Sequence, residues 1–381
     1  MRDDSEGSEP SQTAGSLPDS TAPAAGRAQT GSLSSLTILT CSSAALAIAF
    51  MGVVQFDLPI IRYVRSVTVH LPWDQLTIPW MAFTSNAGDW IGEGSHLVAV
   101  SVTLLALGWF FSKPSIKTAG IEALLAHGFA ALLANGLKHV IGRPRPKFVH
   151  SGDWQFTPSL VSGLDSFPSG HAAASFAVAT VMAKRFPAVG PLVLAIAAFV
   201  ALSRVLRGSH FPTDVMGGAV LGVLSGSVAA APLKQWRASL VEGLLHASLG
   251  TCALFALLWT LSHQAEEGMA AVLLIGLGMV TTASGLWLRR TTWVGDRGPA
   301  LNWRGHAALV LIAYGLAAMT TSPLVLASVG FACLAAWFAA AEASGQDRPP
   351  ARAMMREGAL VIAVLLALAI LYDGRGVLPF R

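Results

Sequence analysis

From Gly305 to Ala341 the chain runs for 37 residues without an Asp, Glu, Lys or Arg. As one helix that run would be roughly 55 Å long, against a bilayer hydrocarbon core of roughly 30 Å. It must therefore turn, and Thr320-Thr321-Ser322-Pro323 is the place, because proline disfavours helical geometry in the residue before it. Shorter windows of the same kind recur along the chain. A charge at the bilayer centre is costly, so these gaps in charge mark spans. The first lies between Arg27 and Asp57 and centres on Leu36–Val54, and others follow at about 95–112, 121–140, 170–186, 190–206, 213–231, 241–262, 268–288, 305–321, 323–342 and 358–372. Between the first two, Ile60–Met81 is amphipathic, carries Arg62, Arg65, Trp73 and Trp80, and reads as lying in the interface. The expected fold is an all-α polytopic membrane helix bundle of eleven spans. Six fall within residues 34–234, and about five more form a C-terminal transmembrane extension, 235–381.

Composition supports this. Charged residues are 12% of the chain, about half the ~25% of a soluble domain. The basic residues behind the net charge of +4 sit in short loops between apolar runs, which excludes a soluble enzyme, a disordered chain and a nucleic-acid binder. Cys41, Cys252 and Cys333 lie far apart inside apolar segments and match no disulfide framework or metal-ligand spacing. Residues 1–33 are rich in Ser, Pro, Ala, Gly and Thr and lack a basic region beside the first apolar stretch. They read as a disordered polar leader rather than a cleaved signal.

Placing the leader inside puts fifteen Lys and Arg on the inner side and ten outside, the usual positive-inside bias. Six of the outer ten (Lys138, Arg143, Arg145, Lys147, Arg204 and Arg207) fall in two short segments, so the exceptions are the informative residues. Three segments carry nearly all the unusual chemistry. Lys138 to Pro146 closes the third span, Pro168-Ser169-Gly170-His171 opens the fourth, and Ser203-Arg204 with His210 and Asp214 joins the fifth to the sixth. By span parity all three lie on the outer face.

With these residues in that order, the chain resembles the type 2 phosphatidic acid phosphatase superfamily, whose pattern is K-x6-RP, then PSGH, then SR-x5-H-x3-D. Lys138, Arg145, Pro146, Pro168, Ser169, Gly170, His171, Ser203, Arg204, His210 and Asp214 meet all its fixed positions. The resemblance covers about Val53–Ala231 and leaves the C-terminal block outside. It implies a six-helix lipid phosphatase core, residues 34–234, with its pocket at the membrane boundary. In that pocket His210 is the nucleophile that forms a phosphohistidine. Asp214 reaches its other ring nitrogen, and His171 acts as general acid and then as base. Lys138, Arg145, Arg204 and the backbone of Ser169 and Gly170 bind phosphate.

Elementary chemistry agrees with that assignment. Phosphoryl transfer mainly needs in-line positioning and neutralisation of charge on the equatorial oxygens. Two planar guanidiniums and an ammonium suit that work, and a helix N-terminus adds backbone donors. The cations stand where a metallophosphatase would gather carboxylates, so no metal and no cofactor are expected. Taken singly, Lys138 and Arg204 are ordinary snorkelling residues, His171 a helix-start residue, and His210 with Asp214 a structural ion pair. Arg143, Lys147 and Arg207 lie outside the pattern and deepen the positive field or meet lipid headgroups. Asp165 reads as a turn residue. His127, His246 and His306 read as packed residues, and His139 and His150 match no motif position.

The expected partners are a lipid phosphate substrate and membrane lipids, with no nucleic acid. The motifs do not choose among undecaprenyl diphosphate, phosphatidic acid, phosphatidylglycerol phosphate and lipid A phosphate, and they leave the oligomeric state open. Two other readings stay open: a lipid phosphotransferase using the same phosphohistidine, and a lipid transporter or flippase. The expected location is the plasma (inner) membrane, multi-pass, with a cytoplasmic N-terminus and an extracytoplasmic site.

Overall fold

The structure is a computed structural model and describes residues 25–69, 75–149, 156–263, 268–295 and 303–343. Residues 1–24 of the leader and the span expected at 358–372 lie outside the described residues. In chain order the elements are α1 (Ala25–Ser66), β1 (Thr68–Val69), β2 (Gln75–Leu76), α2 (Pro79–Ile91), α3 (Gly94–Phe110), α4 (Pro114–Ile141), α5 (Gly170–Arg185), α6 (Gly190–Leu206) and α7 (Pro212–Ala229). They are followed by α8 (Trp236–Ser262), α9 (Met269–Gly295), α10 (Trp303–Met319) and α11 (Pro323–Ala343). The two strands form one short antiparallel ribbon, Thr68 opposite Leu76, so the all-α expectation holds.

The apolar helices α1, α4, α8 and α9 are each long enough to cross a bilayer. The pair α2 and α3 passes together as one span bent by 54° at Gly92-Glu93. The protein is a multi-pass membrane helix bundle. The long charge-free run turns as its length demands: α10 stops at Met319, α11 starts at Pro323, and Thr321 takes φ 57 between them.

Three helices depart from the hydropathy reading. The helix α1 runs on through Asp57 to Ser66 and starts at Ala25, inside the bounds set for the leader. Ile60–Ser66 is therefore continuous with the first span as the last part of α1. The reason is that Asp57, fully buried, is neutralised by Arg143, so the charge does not end the helix. The helices α5 and α7 are built from small residues instead of a lipid-facing apolar surface. They are mostly buried, against each other and against α4, α6 and α8. Gly218, Gly222 and Gly226 recur every four residues on α7. A Cβ there would stand 2.4, 2.4 and 2.6 Å from the carbonyl oxygens of Ser169, Ala173 and Ala177. Only glycine lets the backbones come that close, the small-residue packing familiar from membrane helices.

The largest core cluster joins Ala45, Ala49, Val53 and Phe56 of α1 to Cys252, Phe255 and Ala256 of α8 and to Val325, Val329 and Ala332 of α11. A second is alanine-rich and joins α4 (Ala123, Ala126, Ala130, Ala134) to α5 (Ala173, Ala177).

Candidate active site

The three sequence segments meet at one end of the bundle. The helix α4 ends at Gly142, a left-handed cap with φ 59 whose N–H donates to the Lys138 carbonyl at 2.9 Å. That cap turns the chain so that Lys138 and Arg145 face the same loop. The Lys138 Nζ lies 3.7 Å from where a Cβ on Gly170 would be, which places the ammonium beside the start of α5. Ser169 caps α5, and its N–H donates to the Asp214 carbonyl at 3.0 Å. The expectation that this N–H is free for phosphate therefore needs correcting: the fold already uses it. The hydroxyl of Ser169 is buried without a hydrogen-bond partner among the described residues, and that is the donor the residue offers.

His210 lies in the loop before α7 and is 2% exposed. Its Nδ1–H donates to the Ser166 carbonyl at 2.8 Å, which fixes the tautomer and leaves the lone pair on Nε2. Asp214 was expected to hold Nδ1 directly, but its Oδ2 is 3.7 Å away. The reason is competition. The Asp214 carboxylate accepts from Arg143 Nη1 at 2.5 Å, from Ser166 Oγ at 2.5 Å and from the Phe211 N–H at 2.8 Å. Asp214 thus caps α7 and anchors the Ser166 segment, reaching the imidazole as a nearby charge. Burial pushes the His210 imidazole below its usual range, and the Asp214 carboxylate pulls the other way.

Arg204, on the last turn of α6, pairs through Nη1 with Asp89 of α2, while its buried Nε has no partner among the described residues. Arg207 reaches the other oxygen of Asp89 at 2.9 Å, and the same carboxylate lies 3.7 Å from His171 Nε2. The helices α2 and α6 pack closely here: a Cβ on Gly88 would stand 2.3 Å from that of Ser203. On the opposite wall Asp165 binds Arg145 with both oxygens, at 2.7 and 2.5 Å, with Lys138 Nζ 4.0 Å from one of them. The Arg145 guanidinium beside it holds the Asp165 carboxyl down at about 2.

Behind the pocket sits a network that motif reading missed. Arg143 is 4% exposed and bridges Asp57 at 2.8 Å and Asp214 at 2.5 Å. Thr213 accepts from the same guanidinium at 2.7 Å and donates to Asp57 through both hydroxyl and N–H. Arg65 of α1 adds hydrogen bonds to the carbonyls of Pro146 and Val149, fixing the loop after Arg145. The eight residues expected in the site thus come together, and Asp57, Asp89, Arg143, Asp165, Ser166 and Arg207 join them. The available signal for Asp57 was an acid within an apolar run. Asp89 sits 115 positions from Arg204, and no spacing announces it.

Fold and site together define a class: an integral-membrane helix bundle with two histidines and a ring of cations gathered at one end. The profile of the PAP2 superfamily matches residues 119–237. The chain is 41% identical over 145 residues to a lipid A 1-phosphatase of Rhizobium etli, covering 34% of this chain and 62% of that protein. It is 32% identical over 157 residues to phosphatidylglycerophosphatase B of Bacillus subtilis, covering 38% of this chain and 72% of that protein. Among solved structures, Aquifex aeolicus LpxE aligns at 24% identity with a TM-score of 0.34, over 46% of this chain and 94% of that one. The chain belongs to the PAP2 superfamily.

Proposed function

We propose that this protein hydrolyses the phosphate ester of a membrane lipid through a phosphohistidine on His210. One observation carries the reading: three segments distant in sequence are tied by direct contacts, Arg143 to the Asp214 carboxylate and the Ser169 N–H to the Asp214 carbonyl, into a single cationic pocket around a buried imidazole of fixed tautomer. Lys138, Arg145 and Arg204 hold the phosphate oxygens, with Ser169 Oγ as a further donor. His210 Nε2 attacks phosphorus as the bond to the lipid oxygen breaks, and His171 donates the proton that oxygen needs. His171 then takes a proton from water as that water attacks phosphorus, the P–N bond breaks, and phosphate leaves. Asp214 stabilises the imidazolium through space and secures the Ser166 carbonyl that orients it.

A lipid substrate is supported by the apolar helices around the site and by the lipid phosphatases among its relatives. The positive-inside bias supports a cytoplasmic N-terminus and a pocket at the outer face of the plasma membrane, within the helices of residues 34–234. The test is phosphate release by purified protein from a panel of lipid phosphates and diphosphates. The wild type releases phosphate without an added acceptor. His210→Ala and His171→Ala release none while retaining wild-type expression and thermal midpoint. Wild-type turnover by either variant would overturn the role given to that residue. Reporter fusions at Asp153 and Gln346 report opposite sides of the membrane, and same-side signals would reverse the topology.

A further inference from the structure

The two walls of the pocket treat their arginines differently. Asp89 engages Arg204 through Nη1, and the buried Nε of that guanidinium has no partner among the described residues. Asp165 instead takes the Nε and Nη2 of Arg145 together, at 2.7 and 2.5 Å. That pair of parallel donors is the edge with which a guanidinium grips two oxygens of a phosphate. The oxygen nearest Nη2 also lies 4.0 Å from Lys138 Nζ, so one carboxylate spans both cations of the first motif. Asp165 is held to this position by its own turn, its Oδ1 accepting from the Gly163 N–H at 3.2 Å. The next residue is pinned by the Ser166 N–H to the Arg143 carbonyl at 2.9 Å. Its side chain is 22% exposed, so the carboxylate has solvent into which it can swing.

We infer that Asp165 is a built-in competitor for the oxyanion cradle, whose carboxylate a phosphate group must displace from Arg145 and Lys138 in order to bind. The inference rests on reading the pocket as a phosphate site. It adds that Asp165, which belongs to no motif position, sets how tightly substrate and product phosphate are held. Bound phosphate and the Asp165 carboxylate are both anionic and claim the same donors, so each arriving phosphate faces a tethered anion of high local concentration. The carboxylate is ionised throughout the neutral range, so the competition does not lapse there. Product phosphate is correspondingly easier to expel.

The measurement is equilibrium dialysis of radiolabelled inorganic phosphate with detergent-solubilised wild type and Asp165→Asn. Asparagine keeps the size of the side chain and removes the charge. The variant should bind phosphate at least about tenfold more tightly, the ratio that 1.4 kcal/mol represents. A damaged fold does not tighten binding, so a gain cannot arise from misfolding. Equal or weaker binding by a folded variant overturns the inference. If the variant does not fold, the wild type with orthovanadate bound decides by its structure. Loss of the two-pronged Arg145–Asp165 contact supports the inference, and vanadate bound with that contact intact refutes it. Phosphate binding by neither protein sinks both the inference and the phosphatase reading. Tighter binding by the variant, without lipid hydrolysis by the wild type, sinks the phosphatase reading alone.

Discussion

Arg143→Met tests whether the site is held from behind by α1. The arginine bridges two carboxylates that are both 0% exposed, Asp57 at 2.8 Å and Asp214 at 2.5 Å. Methionine fills similar volume but leaves both acids buried and unpaired. Removing one partner of a buried pair costs about 3–5 kcal/mol, and here two acids are orphaned at once, so the upper end of that range applies. Asp57→Asn alone is milder. The amide oxygen still accepts from Thr213 while Arg143 keeps Asp214, a change of about 1–2 kcal/mol. In the double variant the orphaned charge at position 57 is gone. It should therefore be less destabilised than the sum of the singles, by about 2 kcal/mol of coupling. The assay is SDS-induced unfolding in mixed micelles, followed by circular dichroism for wild type, both singles and the double. Phosphate release is measured on the same samples. Effects that add to within about 0.5 kcal/mol would mean that the two residues do not interact, and the bracing role would fall.

Gly218→Ala should destabilise the bundle by about 1–3 kcal/mol and depress turnover, because the new methyl meets the Ser169 carbonyl at 2.4 Å and drives α5 from α7. Gly250→Ala, whose Cβ meets nothing within 4 Å, is the control, and equal behaviour of the two would refute the packing argument. The acid limb of the pH–rate profile should fall below pH 6.5, the ordinary histidine value, because burial holds the His210 imidazole neutral to lower pH. The same shift acts on stability. Below 6.5 the unfolded chain takes up a proton that the folded site still refuses, so stability declines as pH falls from 6.5 and is unaffected by this group above it. An acid limb well above 6.5 that His210 accounts for would contradict the burial.

Residue types and order made the pocket's members legible, and charge-free length made the turn before Pro323 legible, because both are properties of single residues or unbroken runs. What stayed hidden depended on pairing. Hydropathy counts Asp57 as a charge wherever it stands, and so it ended the first span there. In the fold Arg143, 86 positions later, cancels that charge and the helix continues for nine more residues to Ser66. The same blindness made Arg143 look like a spare cation over the site when it is the counter-ion of Asp214. Spacing of four residues placed Asp214 beside His210 correctly. However, the count of acceptors needed by Arg143, Ser166 and Phe211 decides which atoms it touches, and that count exists only in three dimensions. Asp89 went unmarked, and Asp165 read only as a turn residue, for a related reason: each acts on cations drawn from other segments, and no local pattern marks an acid for that use.

The pairing also explains how helices that carry no motif residue bear on the chemistry. Asp57 is useful to Arg143 only if α1 holds its position. On its packed face α1 presents Ala45, Ala49, Val53 and Phe56, small or apolar groups that fix nothing by themselves. The helices α8 and α11 cover that face, and the contact is close: a Cβ on Gly52 would stand 2.1 Å from the Phe255 ring. Phe255 is fully buried, so α1 cannot slide toward α8 without expelling an aromatic ring from a filled core. Gly52 and Asp57 are less than two turns apart, so the constraint at the ring is passed along the helix to the carboxylate. From there it passes to Arg143, to Asp214 and to the Ser166 segment that orients His210. Packed on α1, α8 and α11 thus connect to the imidazole through the four hydrogen bonds that begin at Asp57, and among the described residues neither places a side chain in the pocket.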